Sequence, residues 1–271
     1  MSQRRQIGSL PSGYPRMLPP EPTAIRTDAT GLIAGAVWIP VHDGELPAYR
    51  AMPEFGDRHP VLLIVQEVFG VDEYLQDVCR RAARAGYLTI APELYARQGR
   101  PAEATNREDL FKIVLAVSDA QVCADLDACA AWARDSGHGD PAHLAITGFC
   151  WGGRMVWLYA AHNPKLKAGV AWYGRLTGET DPNHPRNPID VAGALHAPVL
   201  GLYGAEDQAI PLESVTQMKA KLVAAKSPSK FVIYDEAPHA FHADYRPSYQ
   251  PGPATDGWKR MLDWLHQFGA A

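Results

Sequence analysis

Ile146-Thr147-Gly148-Phe149-Cys150-Trp151-Gly152-Gly153-Arg154 is a short apolar strand that runs through a glycine-flanked turn into a helix. A backbone bent that sharply leaves no room for side chains beside the exposed one, so small residues are needed two positions before and after it. Gly148 and Gly152 stand in those places, which makes the segment a nucleophile elbow with Cys150 at its tip. A thiol at the start of the next helix faces unpaired N–H groups and the positive end of the helix dipole. Both favour a thiolate, and the Trp151 N–H can face an oxyanion. A structural cysteine in a glycine-rich turn is the plainer alternative; the partners found downstream weigh against it.

Outward from the elbow, strand and helix alternate. Residues 61–65 are a continuous apolar run of strand length, as expected of a strand buried on both faces of a parallel sheet. Residues 87–91, 143–147, 166–173, 198–203 and 231–234 read as further strands. Helices are expected over 72–85, 151–162, 212–225 and 255–268, with a long one over 107–135 broken near 117–121. Ahead of these, 32–41 and 46–52 form a hairpin about the turn 42–44, where Asp43-Gly44 is the signal. The predicted fold class is α/β: an α/β-hydrolase fold, with a mostly parallel central sheet and helices on both faces. Residues 1–30, with scattered prolines, read as an irregular N-terminal arm and 31–271 as a single domain. The Pro-bearing stretch 174–197 is a candidate wall or lid for the site.

Composition bounds the function. The 271 residues are 46% apolar and 21% charged, ordinary for a globular enzyme. A net charge of −4 with no basic cluster gives no case for nucleic acid or an anionic membrane surface. No run approaches a membrane span, and no apolar segment follows Arg4 and Arg5 as in a secretory signal. Cys79, Cys123, Cys129 and Cys150 form no C-x-x-C pair, so a reducing, cytoplasmic setting with free thiols is the expectation.

In such a sheet ligands gather at the C-terminal ends of the strands. Asp207 follows the strand 198–203 and His239 follows 231–234, giving the order nucleophile, acid, histidine that the α/β-hydrolase fold uses. A cysteine needs an imidazole to take or partner its proton, and the imidazole needs an acceptor on its other nitrogen. Glu206 is the alternative acid and His242 the alternative histidine. Two histidines three apart without a third ligand make a weak zinc site. Glu67, at the end of an apolar strand, is either a rim residue or a charge placed at the site, and Arg97, after another strand end, could pair with it. The Val68 N–H is the expected second oxyanion donor beside Trp151.

Gln66-Glu67-Val68-Phe69-Gly70, Ala91-Pro92-Glu93-Leu94-Tyr95-Ala96-Arg97, the Gly148 to Gly153 elbow, Gly204 to Asp207 and Pro238-His239-Ala240-Phe241 together resemble the dienelactone hydrolase (carboxymethylenebutenolidase) family over roughly 35–268. The resemblance implies a Cys150, Asp207 and His239 triad, and a Glu67 that pairs with arginine at rest and helps form the thiolate when substrate binds. It implies Arg97 as one of two arginines holding a substrate carboxylate, and an acyl-thioester intermediate with neither metal nor organic cofactor. The family's second arginine lies four positions after the histidine; here that place is Ala243, with Arg246 nearby. The expected partner is a small ester or lactone. A non-catalytic binding module on the same fold is the alternative from another class.

Overall fold

The computed structural model describes residues 5–8 and 23–271. Its centre is one eight-stranded sheet in the order β1-β2-β4-β3-β5-β6-β7-β8. β1 (Leu32–Val41) and β2 (Gly44–Pro53) form the expected hairpin, with Val41 paired to Gly44. β2 also runs antiparallel to β4 (Leu88–Pro92). β3 (His59–Val65), β5 (Gly139–Phe149), β6 (Ala168–Trp172), β7 (Val199–Gly204) and β8 (Lys230–Tyr234) complete the sheet through parallel pairings. Val61 to Val65 are buried throughout, as an apolar run covered on both faces requires.

The chain leaves β3 through α1 (Glu73–Arg84) toward β4 on one side, then returns to β5 on the other. Right-handed crossovers in opposite directions put their helices on opposite faces, so α1 lies on one face. α3 (Asp119–Asp135), α4 (Trp151–His162) and α6 (Leu212–Ala224) lie on the other. The strand order therefore reverses between β3 and β5, which opens a crevice at their C-terminal ends. Glu67 and Val68 follow β3, and Cys150 follows β5.

The long helical stretch is two helices. α2 (Arg107–Ala116) stops at Val117, and the Ser118 hydroxyl caps α3 by accepting from Gln121 N at 3.1 Å. The 174–197 stretch holds the short helix α5 (Pro188–Val191) and is fastened to its neighbours. Arg154 donates to the Arg186 carbonyl at 2.9 Å and Asn183 to the Leu115 carbonyl at 3.2 Å. It buttresses α4, the helix that begins beside Cys150. The last helix, α7 (Pro251–Gln267), starts four residues earlier than expected, because Pro251 at its first position lacks only an N–H that the helix would not use.

Of the N-terminal arm, residues 1–4 and 9–22 lie outside the described residues. The described parts pack on the sheet and on α1: Ile7 N donates to the Glu45 carbonyl at 2.8 Å, and Arg80 donates to the Thr27 carbonyl at 2.7 Å. No helix among the described residues is long and apolar enough to cross a membrane.

Candidate active site

Cys150 has φ 54° and ψ −112°, a backbone conformation that a side chain rarely adopts and that a sharp strand-to-helix turn imposes. The turn survives because neighbouring backbones come closer than a Cβ allows. A Cβ on Gly148 would lie 2.5 Å from the Gly152 carbonyl oxygen, and one on Gly152 would lie 2.3 Å from that of Val65. Cys150 N donates to the Trp172 carbonyl at 3.0 Å, fixing the tip against β6. Gly152 is thereby pressed on the end of β3, with the Val68 turn beyond it. Trp151, at the first position of α4, carries one of the N–H groups that a helix start leaves without an intrahelical partner.

The loops after β7 and β8 are stitched together, Ala205 N to the Tyr234 carbonyl at 2.9 Å and Glu206 N to the Ala237 carbonyl at 3.0 Å. Asp207 Oδ2 then meets His239 Nδ1 at 2.7 Å, and His239 Nε2 meets Cys150 Sγ at 3.2 Å. The other Asp207 oxygen accepts from Ala209 N at 2.8 Å and Ile210 N at 3.2 Å, which holds the carboxylate in place. Burial opposes a charged His239, but its hydrogen bonds to Asp207 and Cys150 outweigh that and push it up to about 10. Glu206 is exposed. His242 is buried, with Nδ1 on the Tyr74 hydroxyl at 2.6 Å, and burial holds it well below its ordinary range. Of the alternatives, the geometry therefore joins Asp207 and His239 to Cys150. Among the described residues no group of three or more His, Cys, Asp or Glu side chains could hold a metal ion.

Glu67 is 4% exposed. Its Oε2 accepts from the Tyr245 hydroxyl at 3.1 Å, and its Oε1 has no partner. Arg97 is not beside it. That guanidinium forms two-pronged bonds to Asp43, both at 2.7 Å, and to Asp125 at 2.7 and 3.1 Å. Asp43 sits in the β1–β2 turn, Asp125 on α3, and the sheet order brings both to the end of β4. The pairing of Glu67 with Arg97 that the two strand ends left open does not form: Arg97 is saturated by two carboxylates. The arginine at Glu67 is Arg246, which donates to the Tyr245 hydroxyl at 3.2 Å and lies 4.7 Å over the Phe69 ring. Ala243 is fully buried and brings no cation to the site.

Three aromatic residues at the site went unread in the sequence. Tyr173, just past β6 with φ 37°, sets its ring 5.1 Å from that of His239. Burial first, then negative charge at Glu67 and Cys150, drives its hydroxyl well above the usual phenol range, so it stands near both. Its place at a strand's C-terminal end was the available signal. Tyr245 and Tyr74 gave none, because they come from an irregular loop and from α1.

A mostly parallel open sheet, a strained elbow at Cys150 and a hydrogen-bonded Cys150–His239–Asp207 chain across three strand ends define the α/β-hydrolase fold. The sequence profile of the dienelactone hydrolase family matches residues 46–269, and the chain belongs to that family. A Methylorubrum extorquens protein named "Putative carboxymethylenebutenolidase" is 56% identical over 275 residues, covering 100% of this chain and 94% of that one. An Escherichia coli protein of the same name is 51% identical over 271 residues, covering 99% and 98%. The crystal structure titled "Putative Dienelactone Hydrolase" from Klebsiella pneumoniae superposes with a TM-score of 0.85 at 55% identity, covering 88% of this chain and 99% of that one. The chain is a hydrolase of esters or lactones of the carboxymethylenebutenolidase kind.

Proposed function

We propose that Cys150 is the nucleophile of an ester or lactone hydrolase that works through an acyl-thioester. The observation that carries this is the 3.2 Å contact between Cys150 Sγ and His239 Nε2 on a tip with φ 54°. A binding module has no use for a cysteine held in strain against an imidazole.

The Cys150 thiol gives its proton to His239 Nε2 as its sulfur attacks the substrate carbonyl carbon, and the carbonyl electron pair moves onto the oxygen, which the Val68 and Trp151 N–H groups receive. Collapse expels the leaving oxygen, which takes its proton from the His239 imidazolium held by Asp207. In a lactone the leaving oxygen stays tethered to the acyl chain. Water then attacks the thioester carbon while His239 takes its proton, and the acid leaves with Cys150 restored.

The substrate class is esters or lactones carrying a carboxylate, dienelactone-like compounds foremost. Arg246 is the guanidinium available for that group, since Arg97 is committed to Asp43 and Asp125 and Ala243 is closed in the core. Glu67 tunes the thiol. Comparing cis-dienelactone with a neutral short-chain aryl ester tests this. A preference for dienelactone that requires both Cys150 and Arg246 supports it, and full activity of Cys150→Ala on both substrates overturns it.

A further inference from the structure

The loop after His239 is coiled by short turns, Ala243 N to the Ala240 carbonyl and Arg246 N to the Ala243 carbonyl, each 3.0 Å. This coil brings the Tyr245 hydroxyl to Glu67. The hydroxyl is a junction. Its hydrogen goes to Glu67 Oε2 and its oxygen accepts from Arg246 Nε, so cation and carboxylate meet through a phenol.

The ring is held from behind. Tyr74 lies 5.3 Å from the Tyr245 ring, and its hydroxyl bonds to His242 Nδ1 at 2.6 Å. His242, kept neutral by burial, is stacked on Phe149, the residue before Cys150, with ring centres 5.2 Å apart. The same aromatic wall therefore supports the elbow and the Glu67 clamp. Glu67 has one oxygen bound and the other buried without a donor, so the Tyr245 hydroxyl is the side-chain donor that holds its carboxylate in place.

We propose that Tyr245 is a positioning residue for Glu67: its hydroxyl pins one carboxylate oxygen, couples it to Arg246, and so sets the charge that Glu67 presents to Cys150. The proposal rests on the reading of Cys150 as nucleophile. Asp72, Tyr74, Tyr95, Tyr173 and Arg246 are the other titratable groups that face the pair.

The test is the pH dependence of Cys150 alkylation by iodoacetamide, followed at Cys150 by peptide mass spectrometry in the full chain. Tyr245→Phe strips Glu67 of its donor and of its link to Arg246, so less negative charge is held toward the thiol. The midpoint is expected to move to lower pH by about half a unit, with kcat on an aryl ester down roughly tenfold and KM little changed. In a Glu67→Gln background, Tyr245→Phe should add no shift. If Tyr245→Phe does not fold, 3-fluorotyrosine at position 245, a stronger donor of nearly the same shape, should move the midpoint to higher pH. An unmoved midpoint, or an equal shift with and without Glu67, overturns the proposal. Alkylation needs no turnover, so hydrolysis indifferent to Cys150→Ala would sink the functional reading while this cycle still judges the clamp.

Discussion

A Cβ on Gly152 would lie 2.3 Å from the carbonyl oxygen of Val65, so the first turn of α4 is packed directly on the end of β3. That contact holds the elbow against the turn carrying Glu67 and Val68. Gly152→Ala is expected to cost about 1–3 kcal/mol, because the obstacle is backbone and cannot swing away. A Cβ added at Gly252, in the first turn of α7, would meet nothing within 4 Å; Gly252→Ala should stay within about 0.5 kcal/mol. Urea unfolding of both variants makes the comparison.

Asp207→Asn removes the acceptor that fixes the His239 tautomer while Ala209 N and Ile210 N can still hold the side chain. We expect kcat to fall by about 10³–10⁴-fold with KM near that of the parent, as for other triads. Steady-state kinetics with the aryl ester reads it.

The same bond makes stability pH-dependent. His239 goes from 6.5 in the unfolded chain to about 10 when folded. The stabilisation is fully present below 6.5 and is lost as pH rises toward 10, since the folded protein then binds more protons than the unfolded one. The urea midpoint should fall over that window, and fall less in Asp207→Asn, as fluorescence melts at stepped pH would record.

Arg97 and Arg246 should separate cleanly. Arg97→Gln leaves Asp125 buried without its cation, so stability should drop by about 3–5 kcal/mol while the KM ratio of acidic to neutral substrate holds. Arg246→Gln should raise KM for the acidic substrate alone. The reverse pattern would return the carboxylate to Arg97.

What was readable in the sequence was local. An apolar run at 61–65, glycines either side of Cys150, and acidic and imidazole residues just past strands are each written within a few positions. The fold and the Cys150, His239 and Asp207 grouping follow from them. Charge pairing was not local. Arg97 follows a strand as Glu67 does, but the order β2-β4 and the path of α3 bring Asp43 and Asp125 to it. Arg246 arrives through tight turns after His239 that no periodicity announces, and Tyr245 looked like any loop aromatic. The early start of α7 was hidden because proline is disfavoured in a helix beyond its first turn, and Pro251 and Pro253 stand at its beginning.

The most direct measurement is the mass of the intact protein quenched in acid during turnover of a short-chain aryl ester. The expected result is an added acyl group on Cys150, absent in Cys150→Ala, which should also lose hydrolysis. Cys150→Ala hydrolysing the ester at the parent rate, with no acyl group trapped on the parent, would contradict the account.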